Sequence, residues 1–379
     1  MIYLDYNATA PLREQAKAAV LAWLQQSAGN PSSIHRAGRA ARQALDQARR
    51  SVAQLFAVHD SQVVFTSGGT EANHLALFGL AAQRRFQGHI VTTAVEHASL
   101  LAAAELLQQR QGMRITRVHP DQQGNITVSA IEAALQPDTR LVSVMAANNE
   151  TGLIHPVADI ARLCRERGIP CHSDAVQLAG RAPVALDQIG CDLLSVSAHK
   201  MGGLPGVGAL LVRKGVALEP LLAGGGQERG RRSGTENLPG IVAFGAVARY
   251  LHPDVIAAEA ERTRLLQQHM EAAISHHLPD AVVVGATGRR LANTTLIALA
   301  GVDGEALVMN LDLASFAVSG GAACSSGKVG QSHVLLALGL PETLARGAVR
   351  ISLGWQSEQA HVEAFVAALV QVVERLRHG

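Results

Sequence analysis

The sequence is poor in cysteine and in aromatic residues, and it carries almost no net charge. Only 4 of its 379 residues are cysteines, too few for a disulfide framework in a chain of this size. Phe, Trp and Tyr together make up 3% of the residues, and the formal net charge is +2. That near-neutral charge gives no electrostatic argument for nucleic-acid binding. These absences favour a reducing, cytoplasmic environment and no nucleic-acid partner.

Signals for membrane insertion and for metal binding are missing as well. No apolar run is long enough to span a bilayer, and the first residues lack the basic-then-apolar pattern of a signal peptide. Cys164, Cys171, His172 and Cys191 do not have the paired spacing of a zinc site. We therefore expect neither a membrane partner nor a metal.

The chain contains instead a regular alternation of short apolar runs and helical stretches. Strands are predicted near 62–66, 89–93, 141–145, 170–173, 192–196 and 208–212, with helices between most of them. This alternation predicts the α/β class with a mainly parallel sheet. The length favours two domains, and a long helix near 257–277 predicts the passage into the second, with strands near 294–299 and 349–353.

Polar side chains occur where several predicted strands end. They are His97, Asn149, Asp174, Gln177 and Lys200. Because ligands of parallel sheets bind beyond the carboxyl ends of the strands, we expect these side chains to surround one site. A lysine there, with its pKa lowered by burial and cationic neighbours, can attack a carbonyl as a neutral amine. Taken alone, however, Lys200 fits a surface loop better.

Two glycine-containing segments have the composition of phosphate-contacting loops. The segment Ser67–Thr70 joins a predicted strand to a helix, and its glycines allow an anion to approach the free N–H groups of that helix. The basic segment 222–235 is either a second phosphate contact or a flexible surface turn. Each signal is weak by itself.

One cysteine lies in a different setting from the other three. Cys324 is in the run Val318–Gly327, whose small residues cannot pack a core. They predict a loop that is either mobile or closely approached by another part of the molecule. A thiol there is exposed and able to react, although an incidental loop cysteine is the simpler alternative. The remaining cysteines fit structural positions.

In their order, these motifs resemble those of cysteine desulfurases, pyridoxal-phosphate enzymes of the class V aminotransferase superfamily. The resemblance extends from Tyr3 nearly to the C-terminus, and it rests on segments 3–9, 67–71, 96–97, 148–152, 174–177, 197–200, 224–229, 232–235 and on Cys324. It implies fold type I: a large cofactor-binding domain over 11–250, whose mainly parallel seven-stranded sheet is flanked by helices. It also implies a smaller α+β domain formed by 1–10 and 251–379 and carrying the Cys324 loop.

The resemblance gives each strand-end residue a role. Lys200 would hold pyridoxal 5'-phosphate covalently and then move protons. Asp174 would keep the pyridinium nitrogen protonated, so that the ring accepts electrons. His97 would stack on the ring and act in acid–base steps. Gln177 would hydrogen-bond the phenolic oxygen, and Asn149 would lie beside cofactor and substrate.

The phosphate group would be held by residues of two subunits. Gly69, Thr70, Ser197 and His199 would contact it from the same chain. Thr235 would reach the phosphate of the neighbouring subunit. The resemblance therefore implies a homodimer with shared active sites.

The substrate implied is L-cysteine. Arg350 would bind its carboxylate, since a guanidinium matches that group with two hydrogen bonds; a surface ion pair is the alternative for this arginine. Cys324, as a thiolate, would take the sulfur as a persulfide and release alanine. The sulfur would then pass to an acceptor protein, a scaffold or carrier of unknown identity, for iron–sulfur clusters or another sulfur-containing cofactor.

The sequence departs from the family pattern at three places. Val176 stands where the family usually has Thr, Gly203–Gly206 differs from the usual Gly-Pro-Lys-Gly, and Ser319–Ala323 has lost two hydroxyls before Cys324. Alternatives are selenocysteine lyase, cysteine-sulfinate desulfinase or another class V enzyme. A non-catalytic scaffold has no physical need for Lys200 and Cys324 together.

Overall fold

The computed structural model describes residues 1–25, 29–320 and 332–378. The Cys324 loop, which the sequence predicts to be mobile or closely approached, lies outside these ranges. The strands are β1 (Ile2–Tyr3), β2 (Val63–Thr66), β3 (His89–Thr93), β4 (Arg114–Val118), β5 (Thr139–Ser143), β6 (Cys171–Asp174), β7 (Leu193–Ser197), β8 (Gly208–Val212), β9 (Val282–Val283), β10 (Thr294–Ala298), β11 (Phe316–Ala317), β12 (Ser319–Gly320) and β13 (Ala348–Ser352).

Helices connect and cover these strands. They are α1 (Glu14–Gln25), α2 (Arg36–Leu55), α3 (Gly69–Gln83), α4 (Ala98–Gln111), α5 (Val128–Ala134), α6 (Val157–Glu166), α7 (Leu186–Ile189), α8 (Leu238–Tyr250), α9 (Pro253–His277), α10 (Gly304–Leu313), α11 (His333–Ala337), α12 (Glu342–Ala345) and α13 (Gln359–His378). The prediction of strands alternating with helices is confirmed.

The larger sheet has seven strands in the order β2-β8-β7-β6-β5-β3-β4. Strand β8 is antiparallel to both β2 and β7, and the other pairs are parallel. The predicted mainly parallel seven-stranded sheet flanked by helices is therefore confirmed. The carboxyl ends of β2, β3, β5, β6 and β7 lie at the same edge.

Three elements do not follow from the sequence pattern. Strand β4 lies at the sheet edge, and its half-exposed face with Arg114 and Arg117 breaks the apolar run expected of a buried strand. The short helix α5 has one fully buried side chain, so its apolar stripe is weak. Helix α8 is largely buried, and it therefore has no polar face to give a helical period.

A smaller antiparallel sheet, in the order β12-β13-β10-β9, is formed by the later part of the chain. Helix α13 packs its apolar stripe against the core of this sheet, with Val362, Phe365, Leu369 and Val373 all fully buried. Each such burial stabilises the fold by about 1.5–3 kcal/mol. The helical spacing of these residues in the sequence is that of an ordinary core-facing stripe.

The N-terminal residues join this second region. Strand β1 pairs with β11 in parallel, and Asp5 bridges to Ser352 at the end of β13. The chain then passes through Asn7 and Ala8 toward the edge of the larger sheet, where the Ala10 amide donates to the His199 carbonyl. The two ends of the sequence are thus brought to the same place.

Within the described ranges, no single helix is long and apolar enough to cross a membrane. Helices α8 and α9 meet such a criterion only as a pair, and they are bent by 81° at the break between them. The same part of the chain contains no group of three or more His, Cys, Asp or Glu side chains that could hold a metal ion.

Candidate active site

A cavity of about 280 Å³ lies at the carboxyl edge of the larger sheet. The structure brings ten of the residues predicted for the site to its wall: Gly69, Thr70, His97, Asn149, Asp174, Gln177, Ser197, His199, Lys200 and Arg350. Parallel strands explain this meeting, because their ends place residues that are distant in sequence side by side. Of the other two predicted residues, Thr235 does not belong to this group and Cys324 lies outside the described residues.

One end of the cavity is suited to an anion. Gly69 and Thr70 begin helix α3, whose first N–H groups have no partner within the helix. A Cβ on Gly69 would lie 2.8 Å from Cγ2 of Val176, so only glycine fits between helix and loop. Ser197 is the last residue of β7 and lies on the same wall. The helix dipole and free amides make this end a phosphate cradle.

Asp174 ends strand β6 and keeps a fixed orientation. Its Oδ1 accepts a hydrogen bond of 2.9 Å from the Val176 amide, and its Oδ2 accepts one of 2.7 Å from Asn73 Nδ2. The side chain is buried at the cavity wall. A fixed, buried carboxylate of this kind can hold a proton on a ring nitrogen placed against it.

His97 is the N-terminal cap of helix α4. Its Nδ1 accepts a hydrogen bond of 3.1 Å from the Ser99 amide and lies 2.8 Å from the Ser99 hydroxyl. Burial lowers the pKa of His97, with further lowering by the positive charges of Lys200 and His333, while Asp174 acts in the opposite direction. The imidazole is therefore neutral at neutral pH and suited to acid–base work.

Lys200 ends a short 3₁₀ turn, Ala198–Lys200, that follows β7. Its Nζ donates to the carbonyl oxygens of Asn7 and Ala8, at 2.7 and 2.6 Å. His199 beside it accepts or donates a hydrogen bond of 3.1 Å with Thr9, and burial lowers its pKa to about 4. The N-terminal segment therefore forms one wall of the site.

Gln177 is held from both ends of its amide. Its Nε2 donates to the Asn7 carbonyl at 3.1 Å, and its Oε1 accepts from Arg181 Nη1. Arg181 also donates to the Tyr6 carbonyl at 3.0 Å, and burial lowers the pKa of this arginine to about 9. Because Arg181 occupies the oxygen end, the NH₂ end of Gln177 points toward Asn7 and the cavity.

Arg350 occupies the opposite wall on strand β13. The alternative prediction for Arg350 is a surface ion pair. The ion pair is present, with Asp5 at 2.8 Å, but the arginine is not at the surface, since it is only 2% exposed. Its Nη1 donates to the Asn149 carbonyl at 3.0 Å, and its Nε has no hydrogen-bond partner among the described residues. A buried guanidinium with unused donor capacity suits an incoming carboxylate.

Two carboxyl groups near Arg350 hold the residues that flank the segment 321–331. Asp5 Oδ2 accepts a hydrogen bond of 2.8 Å from Ser319, and Glu150 Oε2 accepts one of 2.5 Å from Ser332. Burial raises the pKa of Glu150 to about 7, against the lowering effects of Ser332 and Arg350. Cys324 itself lies outside the described residues.

Thr235 lies in a separate depression of about 120 Å³ with Ser67 and Arg232. Its loop is fixed by a buried ion pair, Arg49 to Glu228 at 2.6 Å, and by Arg232 to Glu71 at 2.8 Å. Thr235 is exposed and does not line the cavity of its own chain. That position is compatible with a contact to a second subunit.

The sequence reasoning did not identify several residues that build the site. They are Asp5, Asn7, Asn73, Ser99, Glu150 and Arg181, which hold the predicted side chains in place. Asp5, Asn7 and Glu150 lie in segments 3–9 and 148–152, which carry the resemblance, but it gave these three residues no role of their own. The others lie within ordinary helices and loops.

Comparisons with known proteins agree with this site. Residues 2–365 match the family described as Aminotransferase class-V. The chain is 43% identical over 377 residues to a cysteine desulfurase of Cereibacter sphaeroides, covering 99% of this chain and 96% of that protein. It is 39% identical over 377 residues to the cysteine desulfurase IscS of Dictyoglomus turgidum, covering 99% and 95%.

Solved structures show the same similarity. A NifS-like protein superposes with a TM-score of 0.92 at 32% identity, with 99% of each chain covered. A NifS-like protein from Rickettsia africae gives a TM-score of 0.89 at 31% identity, again over 99% of each chain.

Proposed function

The chain belongs to the class-V aminotransferase family, among its cysteine desulfurases, and we propose that its cavity converts L-cysteine to L-alanine. Enzymes of this family depend on pyridoxal phosphate, so the cofactor follows from the membership. The roles of individual residues are part of the proposal. They rest on the geometry of the cavity.

The described residues fit pyridoxal phosphate. The close approach of Gly69 to Val176, which a Cβ would prevent, brings the N-terminus of α3 to the cavity, where Thr70, Ser197 and His199 are also placed to contact an anion. Asp174 would pair with the ring nitrogen, His97 would stack on the ring, and Gln177 would donate to the phenolic oxygen. Lys200 would form the covalent link. When bound, the cofactor supplies an electron sink for the substrate's α-carbon.

The remaining roles belong to the protein's own groups. Arg350 and Asn149 would hold the substrate amino acid, with the guanidinium binding the carboxylate. Lys200 and His97 would move protons at the substrate carbons. The Cys324 thiolate would attack the substrate sulfur: a sulfur–sulfur bond forms, the carbon–sulfur bond breaks, and its electron pair stays with the carbon, which takes a proton to give alanine.

The proposal extends to assembly and organisation. We propose a homodimer in which Thr235 of each subunit contacts the phosphate of the other, since this residue is exposed and outside its own cavity. We also propose that residues 11–250 form the cofactor-binding domain and that 1–10 with 251–379 form the smaller one. A cytoplasmic enzyme handing its persulfide to a scaffold or carrier protein completes the proposal.

One observation carries the function: Lys200, Asp174, His97 and Arg350 meet around one cavity although they lie on four separate elements. The test is incubation of the holoenzyme with L-cysteine, followed by measurement of alanine and mass mapping of any persulfide. We expect alanine release, and one added sulfur atom on the peptide that contains Cys324.

Two variants make that test specific. Cys324→Ala should lose alanine release from cysteine while keeping the visible absorption of bound cofactor. Cys164→Ala, at a buried position in the core, should keep both properties and serves as the control. Full activity of Cys324→Ala on selenocysteine or cysteine sulfinate, together with weak activity of the unmodified enzyme on cysteine, would contradict the proposal and favour those reactions.

A further inference from the structure

A buried hydrogen-bond chain connects Asp174 to His97 through two residues that have no role in the proposed reaction. Asn73, on helix α3, is 1% exposed and lies at the cavity wall. Its Nδ2 is 2.7 Å from Asp174 Oδ2 and 3.1 Å from Ser99 Oγ. Ser99 Oγ is in turn 2.8 Å from His97 Nδ1.

The chemistry of these groups gives the chain a direction. The Asp174 carboxylate only accepts hydrogen bonds, so the NH₂ end of Asn73 must face it. The second N–H of the same nitrogen then points to Ser99, whose oxygen accepts it. With that lone pair engaged, the Ser99 hydroxyl proton is available to donate to the remaining neighbour, His97 Nδ1.

The backbone provides an independent argument for the same direction. The Ser99 amide donates to His97 Nδ1 at 3.1 Å, and an amide N–H can only donate. Nδ1 therefore carries a lone pair that receives two donors, the amide and the hydroxyl. A neutral imidazole with an unprotonated Nδ1 has its proton on Nε2.

We propose that Asn73 is a positioning residue that, through Ser99, holds resting His97 in the tautomer with its proton on Nε2. The imidazole then offers the cavity an N–H donor in place of a lone pair. To take a proton at Nε2, the ring must first exchange tautomers, which costs the hydrogen bond from the Ser99 amide and reverses the direction of the one with the Ser99 hydroxyl. The role of His97 in catalysis rests on the proposed function, but the tautomer does not.

The test reads the ring nitrogens directly. Holoenzyme labelled with ¹⁵N-histidine is sedimented, and its solid-state ¹⁵N spectra at neutral pH are compared with those of His97→Gln to identify the His97 signals. We expect one signal in the range of an unprotonated ring nitrogen for Nδ1 and one in the N–H range for Nε2. A proton found on Nδ1 would overturn the proposal.

Variants separate positioning from structure. Asn73→Ala frees the Ser99 oxygen to accept from Nδ1–H, so the share of the other tautomer should rise and the two His97 signals should move toward each other, against the Ser99 amide that still donates to Nδ1. Ser99→Ala should act in the same direction, while Ser99→Thr keeps a hydroxyl and should restore the original spectrum. Asn310→Ala, on helix α10, removes an asparagine with comparable hydrogen bonds and should leave the His97 signals unchanged. Unchanged signals in Asn73→Ala and Ser99→Ala would refute the coupling.

Kinetics provide a second readout. We expect kcat of Asn73→Ala to fall about tenfold, the scale of one lost hydrogen bond, with a shifted pH profile and little change in cofactor affinity. If cysteine is not a substrate at all, the proposed function fails while the nitrogen spectra still decide the tautomer. The two failures are therefore distinguishable.

Discussion

The two walls of the cavity are built in different ways. On the sheet wall, two functional side chains are held partly by their own neighbours: Asp174 by the amide of Val176, and His97 by Ser99. On the opposite wall, Arg350 is held by Asp5, 345 positions away, and by Asn149, 201 positions away. Asp174 and His97 therefore depend partly on residues next to them in sequence, whereas Arg350 depends on residues that the fold brings together from distant parts of the chain.

This difference separates chemistry from stability. An isosteric change on the sheet wall can keep the hydrogen bond from the neighbouring amide, so we expect loss of activity with a smaller loss of stability. A change on the Arg350 wall leaves the partly buried carboxylate of Asp5 without its cation, and such losses are costly. Substitutions on the two walls should therefore give different patterns of activity and stability.

The largest effect on activity is expected from Asp174→Asn. An amide cannot keep a ring nitrogen protonated, so kcat should fall by about 100-fold or more, the scale of a lost acid–base group. The melting temperature should fall less than in an Arg350 variant, because the amide oxygen still accepts the hydrogen bond from the Val176 amide and only the bond from Asn73 is lost. Steady-state kinetics and thermal unfolding check this pair of outcomes. A fall in melting temperature as large as that of an Arg350 variant would break the contrast between the walls.

Arg350→Gln should affect both properties. Removing one partner of a buried ion pair typically costs about 3–5 kcal/mol, so the free energy of unfolding should fall by that amount. KM for cysteine should rise more than tenfold, since a charge-assisted hydrogen bond to the carboxylate is lost.

The matched control for Arg350 is Arg290→Gln, which breaks the half-buried pair with Glu271 on the same side of the fold. This variant should lose some stability but keep KM, because Arg290 does not line the cavity. An equal rise of KM in both variants would show that Arg350 acts only through the fold.

The smallest effect is a change in pH dependence at the sheet wall. Burial raises the pKa of Glu96 to about 8, against hydrogen bonds from Thr93 and Met145 that lower it. The folded protein thus keeps a proton that the unfolded chain has already lost, and stability should fall as pH rises from 7 to 8, by at most about 1.4 kcal/mol per pH unit. The buried histidines with lowered pKa act weakly in the opposite direction: each is neutral in the folded state and about a quarter protonated at pH 7 when unfolded, so each adds only about 0.1 kcal/mol between pH 7 and 8.

Glu96→Gln replaces the protonated carboxyl by a neutral group of the same shape. The slope of the unfolding free energy between pH 7 and 8, measured with urea, should become flatter. Glu166→Gln, at an exposed position on α6, should retain the original slope. If both variants keep it, Glu96 is ionised in the folded protein at pH 7.

The contrast between the walls also explains what the sequence could predict. Residues such as His97 and Asp174 follow apolar runs, and parallel topology then requires their meeting. The partner of Arg350 could not be found this way, because nothing in the pattern of residues 3–9 indicates which strand they reach. Asn73 and Ser99 were missed for another reason: polar residues inside a helix are usually solvated, and only the packing of α3 against α4 shows that these two are buried.

The carbonyl groups that accept hydrogen bonds from Lys200 have a practical consequence for mutagenesis. They belong to the main chain of Asn7 and Ala8, so replacing either side chain leaves the acceptor in place. An alanine scan would therefore leave Ala8 untested, since it is already alanine, and would credit Asn7 only with its side-chain hydrogen bonds. Backbone chemistry, such as an ester substituted for the following amide to weaken one carbonyl, is the change that would expose the contribution of this segment to the lysine.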